Sequence, residues 1–363
     1  MALAHDARRD KGAQIGMTMA HPAIAQPEGT LPGLDYEITY GKADIPVYRH
    51  YAAPLEGLPV VPESAFTRRA NVLFVNEITV EVFGVNFMPA YTTGDNSVVV
   101  ATDSMKNFIL SQGLEYRGAT LEGYLNQLGR GFLAKYPQMH GLRMFGRELP
   151  FGVQQVPGAD GFEASDVLHQ RQFADYSDAE LYFERTDGGC RITANRCGRR
   201  GLELLKTKGS AFVRFVRDEY TTLPERSDRP LFVALDVHWQ YGDVTDGIDL
   251  TDHARYVAGE QVRDICAVVF HQFVSESIQQ LVHEMGKRLL ERYPQLHGVE
   301  LVARNMTRDP YAVSEDPDDD RKVFVPPFPA SGTISLKLTR QTRSASGSGP
   351  DLQPPASIPS LAV

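Results

Sequence analysis

The stretch Tyr136-Pro-Gln-Met-His-Gly141 decides the fold, because it recurs 157 residues later (293 − 136) as Tyr293-Pro-Gln-Leu-His-Gly298. An amphipathic pattern typical of a helix precedes each copy. In the first pattern, which begins after the cap candidate Thr120, the apolar residues are Leu121, Tyr124, Leu125, Leu128, Phe132 and Leu133. In the second, which begins after Ser275 or Ser277, they are Ile278, Leu281, Val282, Met285 and Leu289. Two similar helices with the same ending indicate an internal duplication.

Strand patterns surround both helices. Apolar residues alternate with polar ones over residues 78–82 in the first half and 231–239 in the second. Further strand patterns at 299–302 and 334–338 close the second half. The pattern of each half therefore predicts the order strand, strand, helix, helix and then strands. Strands that bracket helices favour an α+β fold, with antiparallel sheets and helices on one face.

Composition and charge exclude several classes of protein. The 363 residues are 42% apolar and 23% charged, which are ordinary globular values and exclude wholesale disorder and a collagen-like chain. The length suits two compact domains or one large one. The net charge of −9 argues against a nucleic-acid binder, which needs a basic face, but permits a small anionic ligand held by a few local cations.

Cysteine usage and hydropathy predict a cytoplasmic protein. Cys190, Cys197 and Cys266 have no CxxC spacing, and we interpret them as free thiols in a reducing compartment. The longest apolar run, at residues 265–270, is far too short to span a bilayer. No membrane partner is therefore expected.

The two ends of the chain differ in composition from the rest. Residues 1–34 are rich in Ala, Gly and Pro, and residues 342–363 form a low-complexity tail, so both are expected to be disordered. Between them we expect a first repeat at 35–165 and a second repeat at 166–341.

Neither a metal site nor a cofactor site is predicted. His271 and His283 are twelve residues apart, and the chain has neither an HExxH motif nor a His-x-His pair. The acidic run at 315–320 lacks the alternating ligands and the glycine of a calcium loop, and we interpret it as a solvated loop. The GxGxxG, Walker and GxSxG motifs are also absent.

Two segments are dense in residues that could carry chemistry. We interpret residues 91–107 as a strand that runs directly into a helix, with Thr102, Asp103 and Ser104 at the N-cap. The N–H groups of a helix start favour an anion, although a capped helix with no further role would have the same composition. Residues 212–229 mix a strand-like apolar run with many charges, which a strand with an ion-paired outer face would also explain.

Together with Tyr40-Gly41-Lys42, these segments resemble the factor-independent urate oxidases, or uricases. Residues 95–107 match the family block Asp-Asn-Ser-x-Val-Val-Ala-Thr-Asp-Ser-x-Lys-Asn. Residues 215–223 match Phe-x-Arg-Asp-Glu-Tyr-Thr-Thr-Leu, and Asp228-Arg229 follow in order. The matches extend from Tyr40 to Thr307, which is most of the expected folded chain.

The resemblance implies the fold and the reaction of that family. Uricases convert urate, O2 and water to 5-hydroxyisourate and hydrogen peroxide without a metal or an organic cofactor. Their tunnelling fold, or T-fold, has two ββααββ-like repeats per chain. Two chains form a barrel, and two barrels stack into a homotetramer with active sites at the subunit interfaces.

Site residues carry over from the family position by position. Lys42 matches the lysine of the proton relay, and Thr102 matches the threonine that pairs with it from the neighbouring subunit and also contacts urate. Phe212 matches the aromatic residue that stacks on urate. Arg229 and Gln279 match the residues that hold opposite edges of the purine, which suits an arginine fork and an amide with one donor and one acceptor.

The remaining matches surround the purine in other ways. Asp103 and Ile278 match positions whose backbone N–H groups meet urate, and Leu223 matches a wall of the site. Asn305 matches the asparagine above the ring, where O2 or water lies. A planar anion would thus be stacked on a phenyl face and approached by two helix starts.

One position departs from the family. Many uricases have Asn-x-His, whose histidine completes the relay, whereas this chain has Asn305-Met306-Thr307. A threonine hydroxyl can pass a proton along a hydrogen bond, but it cannot titrate near neutral pH. We therefore expect Thr307 to be a catalytic relay or water contact, unless the relay is shorter here or another group replaces the histidine.

Two other functions stay open at this point. One is another T-fold enzyme acting on purines or pterins, such as a cyclohydrolase, although these need zinc ligands that this chain does not present. The other is a purine-binding protein that keeps Phe212, Arg229 and Gln279 but has lost turnover. The missing histidine is its only support.

Overall fold

The computed structural model of the chain describes residues 30–31, 33–172, 175–306, 310–316, 318–325 and 330–341. Nearly all of the N-terminal segment and the whole C-terminal tail, for which disorder is expected, lie outside these ranges. The described residues form two compact units. The larger comprises residues 39–83 and those from 100 onward, and the smaller comprises residues up to 38 together with 84–99.

The larger unit is built on an eight-stranded antiparallel sheet. In spatial order its strands are β1 (Thr39–His50), β2 (Leu73–Phe83), β3 (Gly141–Glu148), β6 (Tyr176–Thr186), β7 (Gly189–Lys206), β8 (Leu231–Tyr241), β9 (Leu296–Asn305) and β12 (Gly332–Thr339). Two separate hairpins are formed by β4 (Phe151–Gly158) with β5 (Gly161–Arg171) and by β10 (Pro310–Val313) with β11 (Lys322–Phe324). The sheet of the single chain is open, with β1 and β12 at its edges.

The smaller unit contains a short helical segment and a turn. A 3₁₀ turn at Val85–Phe87 leads into α1 (Met88–Thr92). After it, Asp95 Oδ1 accepts the Ser97 N–H at 2.9 Å. Such a local bond uses a donor that a strand ladder would need. The strand expected to run from residue 91 into the next helix is therefore wrong.

Helices of the larger unit lie on one face of the sheet. In chain order they are α2 (Thr102–Glu115), α3 (Leu121–Lys135), the short α4 (Thr245–Ile248), α5 (Gly259–Gln272) and α6 (Ile278–Arg292). α2 packs on β1, α3 on β3 and β6, α5 on β7, and α6 on β9 and β12. Among the described residues, no helix has both the length and the apolar character needed to cross a bilayer.

The two faces of the sheet differ as the strand alternation predicts. Ile78, Val80 and Val82 on β2 are fully buried. On the opposite face, Glu81 pairs with Arg143 of β3 at 2.9 Å. Burial of one apolar face under the helices drives this arrangement. The predicted α+β class, with tandem repeats, antiparallel strands and helices on one face, is confirmed.

The offset of 157 residues holds at both ends of the paired helices. Thr102 of α2 maps on Gly259 of α5, and Leu121 of α3 maps on Ile278 of α6, with equal lengths of 14 and 15 residues. Both caps map as well. The Thr120 hydroxyl accepts the Gly123 N–H, and the Ser277 hydroxyl accepts the Gln280 N–H, each at 3.1 Å. Of the two cap candidates for the second helix, Ser277 is the one used.

The same offset extends to the strands and the loops. A register shift follows Lys42 in β1, and another follows Arg199 in β7. An isolated antiparallel bridge joins Leu55 to Arg69, and its counterpart joins Phe212 to Arg226. One backbone frame is thus built twice in one chain.

Candidate functional site

The loop of residues 209–229 lies against the segment that leads into α6. The Ala211 N–H donates to the Ser275 carbonyl at 2.8 Å, and the Arg229 N–H donates to the Ser210 carbonyl at 2.8 Å. Ser210 and Ser275 are both fully buried. These bonds place Phe212 and Arg229 next to the start of α6.

Phe212 and Arg229 meet directly. The guanidinium carbon of Arg229 lies 5.5 Å from the centre of the Phe212 ring. Phe215 stacks on the same ring, with centroids 4.8 Å apart and planes 10° apart. A cationic donor fork beside an aromatic plane can hold a flat anion that accepts hydrogen bonds at its edge.

The start of α6 supplies the third part of this arrangement. Ser277 caps the helix, and the Gln280 side chain accepts the N–H of Glu276, the residue before the cap, at 2.9 Å. Ile278 is the first helical residue and is buried, whereas the Gln279 side chain is exposed. The first-turn N–H groups of a helix have no intrahelical partner and attract negative charge.

The expected strand at the beginning of this loop is wrong, because Phe212 makes only a single bridge. Arg214 has φ +60°, a left-handed conformation that residues in a regular strand ladder do not adopt. Its N–H donates to Glu225 Oε1 at 2.9 Å, and its guanidinium pairs with Glu276 at 2.8 Å. The turn therefore ties the loop to the residue just before the cap of α6.

Leu223 and Asn305 are two further residues that the resemblance assigns to the site. The Leu223 carbonyl accepts Arg217 Nη1 at 3.0 Å, and the Leu223 side chain is partly exposed. Asn305 ends β9, where it pairs with Val233 of β8 and Gly332 of β12. Thr307 lies outside the described residues.

We name these residues the clamp group. Its members are Phe212, Leu223, Arg229, Ile278, Gln279 and Asn305.

A second group lies at the start of α2. Lys42 is exposed on β1, opposite Val80 of β2. The preceding Gly41 must lack a side chain, because a Cβ there would lie 1.8 Å from the Val80 carbonyl oxygen. The Tyr40 hydroxyl accepts the Val100 N–H at 3.2 Å, which ties β1 to the entry of α2.

The charges at the start of α2 are coupled. Lys106 Nζ lies 2.6 Å from Asp103 Oδ1, and this bond, together with the Lys106 and Lys42 charges and a bond from Asn107, lowers the pKa of Asp103. Lys42 therefore lies within electrostatic range of the first turn of α2 in the same chain. Lys42, Thr102 and Asp103 form what we name the relay group.

The N-cap expected at Thr102, Asp103 or Ser104 is wrong. Ala101 is the cap residue, and Thr102 is the first residue of the helix. Alanine has no side chain that can bond to the first-turn N–H groups, so they face outward without a cap bond from it. A helix start of this kind suits contact between the Asp103 N–H and a ligand.

Sequence reasoning missed the residues that support the clamp group. Phe215 and Arg217 lie inside the block used for the resemblance, yet only Leu223 was assigned a role from it. Glu276 precedes the cap Ser277 and gave no signal of its own. Their roles depend on contacts made across the loop, which spacing does not encode.

Across residues 30–31, 33–172, 175–306, 310–316, 318–325 and 330–341, no group of three or more His, Cys, Asp and Glu side chains could hold a metal ion.

Comparison with known proteins gives one consistent result. The family described as Uricase matches residues 195–335. A uricase of Halalkalicoccus jeotgali is 46% identical over 84% of this chain and 98% of its own length. A uricase of Haloferax volcanii is 47% identical over the same shares of both chains.

Solved structures agree with the sequence relatives. The urate oxidase of Bacillus sp. TB-90 is 40% identical and superposes with a TM-score of 0.81, covering 84% of this chain and 100% of its own. A uricase from Bacillus fastidious is 38% identical with a TM-score of 0.80. The fold and both residue groups thus occur in a chain similar to these enzymes over most of its length.

Proposed function

The chain belongs to the uricase family, and on that premise we propose that it oxidises urate with dioxygen and water to 5-hydroxyisourate and hydrogen peroxide. The observation that carries this function is the identity of 46% over nearly the whole length of a uricase, together with Arg229 held against Phe212. The named relatives favour this reaction over a pterin or purine enzyme of another kind, and over a binding protein without turnover.

The clamp group binds urate. Urate is a planar anion at neutral pH, so it stacks on Phe212 while the Arg229 fork donates to one edge. Gln279, in the first turn of α6, offers a donor and an acceptor to the opposite lactam edge. The unpaired N–H groups at this helix start add a favourable field for the negative charge. Asn305 holds O2 or water above the ring.

The relay group moves the protons. Removal of a second proton from urate gives an electron-rich dianion that can reduce O2. Lys42 and Thr102 accept and pass this proton, and Asp103 contributes its N–H to the purine. Positioned acid–base groups of this kind typically contribute about 10²- to 10⁴-fold to a rate. Thr307 remains a candidate for the last position of the relay.

We infer that the two groups meet between chains, because the duplicated frame makes the same junction once within each chain. The resemblance implies that Lys42 and Thr102 pair across subunits. We propose instead that both come from one chain, because the Lys42 charge acts on Asp103 of its own chain. The offset maps Lys42 on Arg199 of β7, and it maps Thr102 and Asp103 on Gly259 and Glu260 at the start of α5.

Within a single chain, the start of α5 contacts the loop of the first repeat. Glu260 pairs with Arg69 at 3.1 Å, and the Gln261 amide donates to the Pro59 carbonyl at 2.8 Å. By the same geometry the start of α2 belongs against the loop at 209–229 and the start of α6. The open edges of the sheet allow a second copy to supply it, as an isologous dimer requires. Two such dimers give the homotetramer that the family resemblance implies.

The repeat boundary follows from the same frame. The offset relates β1, β2, β3 and β6 to β7, β8, β9 and β12. We therefore propose that the repeats divide in the turn between β6 and β7. The expected junction at 165–166 would fall inside β5, a hairpin strand inserted between β3 and β6. The cytoplasmic location stays a prediction.

The reaction is tested by adding urate to the purified protein. We expect loss of the ultraviolet absorbance of urate and release of one peroxide per urate. Added EDTA should leave the rate unchanged. Loss of activity on chelation that a metal restores would contradict a cofactor-free reaction, and absence of peroxide would contradict the oxidase itself.

The interface is tested by complementation. Lys42→Met disables the relay group and Arg229→Ala disables the clamp group, so each chain alone should have little activity. Co-expressed, they should form mixed assemblies in which about a quarter of the sites combine an intact Lys42 with an intact Arg229 from the other chain.

Co-expression of Lys42→Met with Thr102→Ala is the matched control. Both changes lie in the relay group, so mixing cannot restore a site. If the first pair also stays inactive, the two groups belong to one chain and the interface proposal fails.

A further inference from the structure

The clamp group has a counterpart in the first repeat. The offset of 157 maps its four central members, Phe212, Arg229, Ile278 and Gln279, on Leu55, Val72, Leu121 and Glu122. These residues occupy the same bridge, the same loop end and the same helix start. A pocket framed like the urate site therefore exists a second time in the chain.

Tyr256 fills this second pocket. Its hydroxyl donates to Glu122 Oε2 at 2.9 Å, and both residues are buried, at 6% and 4% exposure. Tyr256 belongs to one apolar cluster with Leu55 and Ala119, the counterparts of Phe212 and Glu276. The phenol ring thus lies among the walls that face the ligand in the other repeat, and its hydroxyl meets the residue that maps on Gln279.

We propose that the first repeat retains a ligand-shaped pocket that the chain occupies with its own Tyr256 side chain, and that a vacated pocket would bind a flat, neutral ring bearing a hydroxyl donor. The ring of Tyr256 replaces the planar ligand, and its O–H replaces the hydrogen-bonding edge. The equivalent positions 122 and 279 therefore each recognise a polar edge, which Tyr256 supplies in the first repeat and the substrate supplies in the second.

The charges around this pocket explain the expected ligand class. Val72 occupies the position that Arg229 has in the clamp group. The pocket of the first repeat therefore has no arginine at this position to bind an anion. The nearby Arg69 is already paired with Glu148 at 2.9 Å and with Glu260 at 3.1 Å. Burial raises the pKa of Glu122 to about 7, which further disfavours a second negative charge.

The polar frame around the pocket is fixed independently of Tyr256. The Asn71 amide donates to the Ala53 carbonyl at 2.7 Å and to the Ala119 carbonyl at 2.9 Å. These bonds hold the loop against the entry of α3, so removal of the Tyr256 ring should leave the walls in place. A packed interior that cannot collapse fully keeps a cavity able to accept a small ligand.

The experiment is chemical rescue of the Tyr256→Ala chain. We expect the variant to melt well below wild type and 10 mM phenol to raise its Tm by roughly 3 °C or more. Toluene, which has the ring without the hydroxyl, should raise it by less than half as much. Wild type and Tyr256→Phe, whose pockets stay filled, should not respond to phenol beyond the general solvent effect.

The response of Tyr256→Ala to phenol and toluene can also contradict the proposal. Equal shifts with phenol and toluene, or a phenol shift no larger than that of wild type, would overturn the proposal. If Tyr256→Ala yields no soluble protein, expression with phenol in the medium applies the same criterion. Soluble protein with phenol but not with toluene supports the proposal, and failure with both overturns it.

A structural comparison tests whether Tyr256 copies the ligand. With the first repeat superposed on the second, the Tyr256 ring should coincide with a urate analogue such as azaxanthine bound at Phe212, and a separation beyond about 3 Å would overturn the copy. This part rests on the proposed function, whereas phenol rescue does not. Failure of the analogue to bind would count against the proposed function alone.

Discussion

The starts of α3 and α6 have the same backbone arrangement, but the equivalent side chain is exposed in one and buried in the other. At α6 the first-turn glutamine, Gln279, is exposed beside Phe212 and Arg229. At α3 the equivalent Glu122 is buried and bonded to Tyr256. The cap bonds and helix lengths are the same in both.

The difference shows that the backbone frame alone does not make a binding site. A helix start and a facing loop provide a recess, but its function depends on what covers it. In the first repeat the segment leading into α5 covers the recess within the chain. In our proposal the recess of the second repeat stays open to substrate and to the relay group of another copy.

Removal of the Lys42 ammonium should have the largest effect. We expect Lys42→Met to lower kcat by about 100-fold or more while KM changes little, because the relay acts on the proton rather than on binding. The control is Lys287→Met, which removes an exposed ammonium on α6 outside both groups. It should match wild type in steady-state kinetics. Normal turnover in Lys42→Met would remove the relay assignment.

Glu122 should give a pH-dependent stability that Gln279 cannot give. Burial raises its pKa from 4.5 to about 7, so its contribution to stability is present below pH 4.5 and is lost as the pH rises through 7. The stability of wild type relative to Glu122→Gln should therefore fall by about 3 kcal/mol between pH 4.5 and 8. Denaturant unfolding of both proteins across this range measures it, and a constant difference would show that Glu122 does not titrate in this range.

Arg229 and Val72 offer a matched pair of truncations. Arg229→Ala leaves one edge of urate without a partner, which costs about 1–3 kcal/mol and weakens binding roughly 5- to 150-fold. Val72→Ala should leave affinity unchanged, because its pocket holds no ligand. Titration with a urate analogue measures both, and equal affinities for the two variants would refute the clamp.

The two helix caps should give the smallest effects and separate stability from function. Thr120→Ala and Ser277→Ala each remove one cap bond at 3.1 Å and should lower the free energy of unfolding by about 1 kcal/mol. Only Ser277→Ala should also raise KM, because we propose that its helix start binds urate. A similar rise in KM for Thr120→Ala would mean that both helix starts serve the substrate.

Local signals in the sequence were sufficient for the helices and strands of the fold. The echo at 136–141 and 293–298 and the apolar spacing after Thr120 and Ser277 report on backbone preference and on one buried face, which neighbours in sequence encode. The same local signals predicted strands wrongly where the backbone departs from regular structure. The turn at Asp95 and the left-handed Arg214 interrupt runs that alternate like strands.

The sequence by itself determined the duplication and the α+β class, since both depend on residue type and spacing. Its resemblance to the family predicted the clamp and relay residues. Only the tertiary structure decided which recess is filled. The bond between Tyr256 and Glu122 joins residues 134 positions apart, and so distant a contact is set by how the repeats pack together. Burial and charge pairing act through space, so the assignment of one open and one occupied pocket required the folded chain.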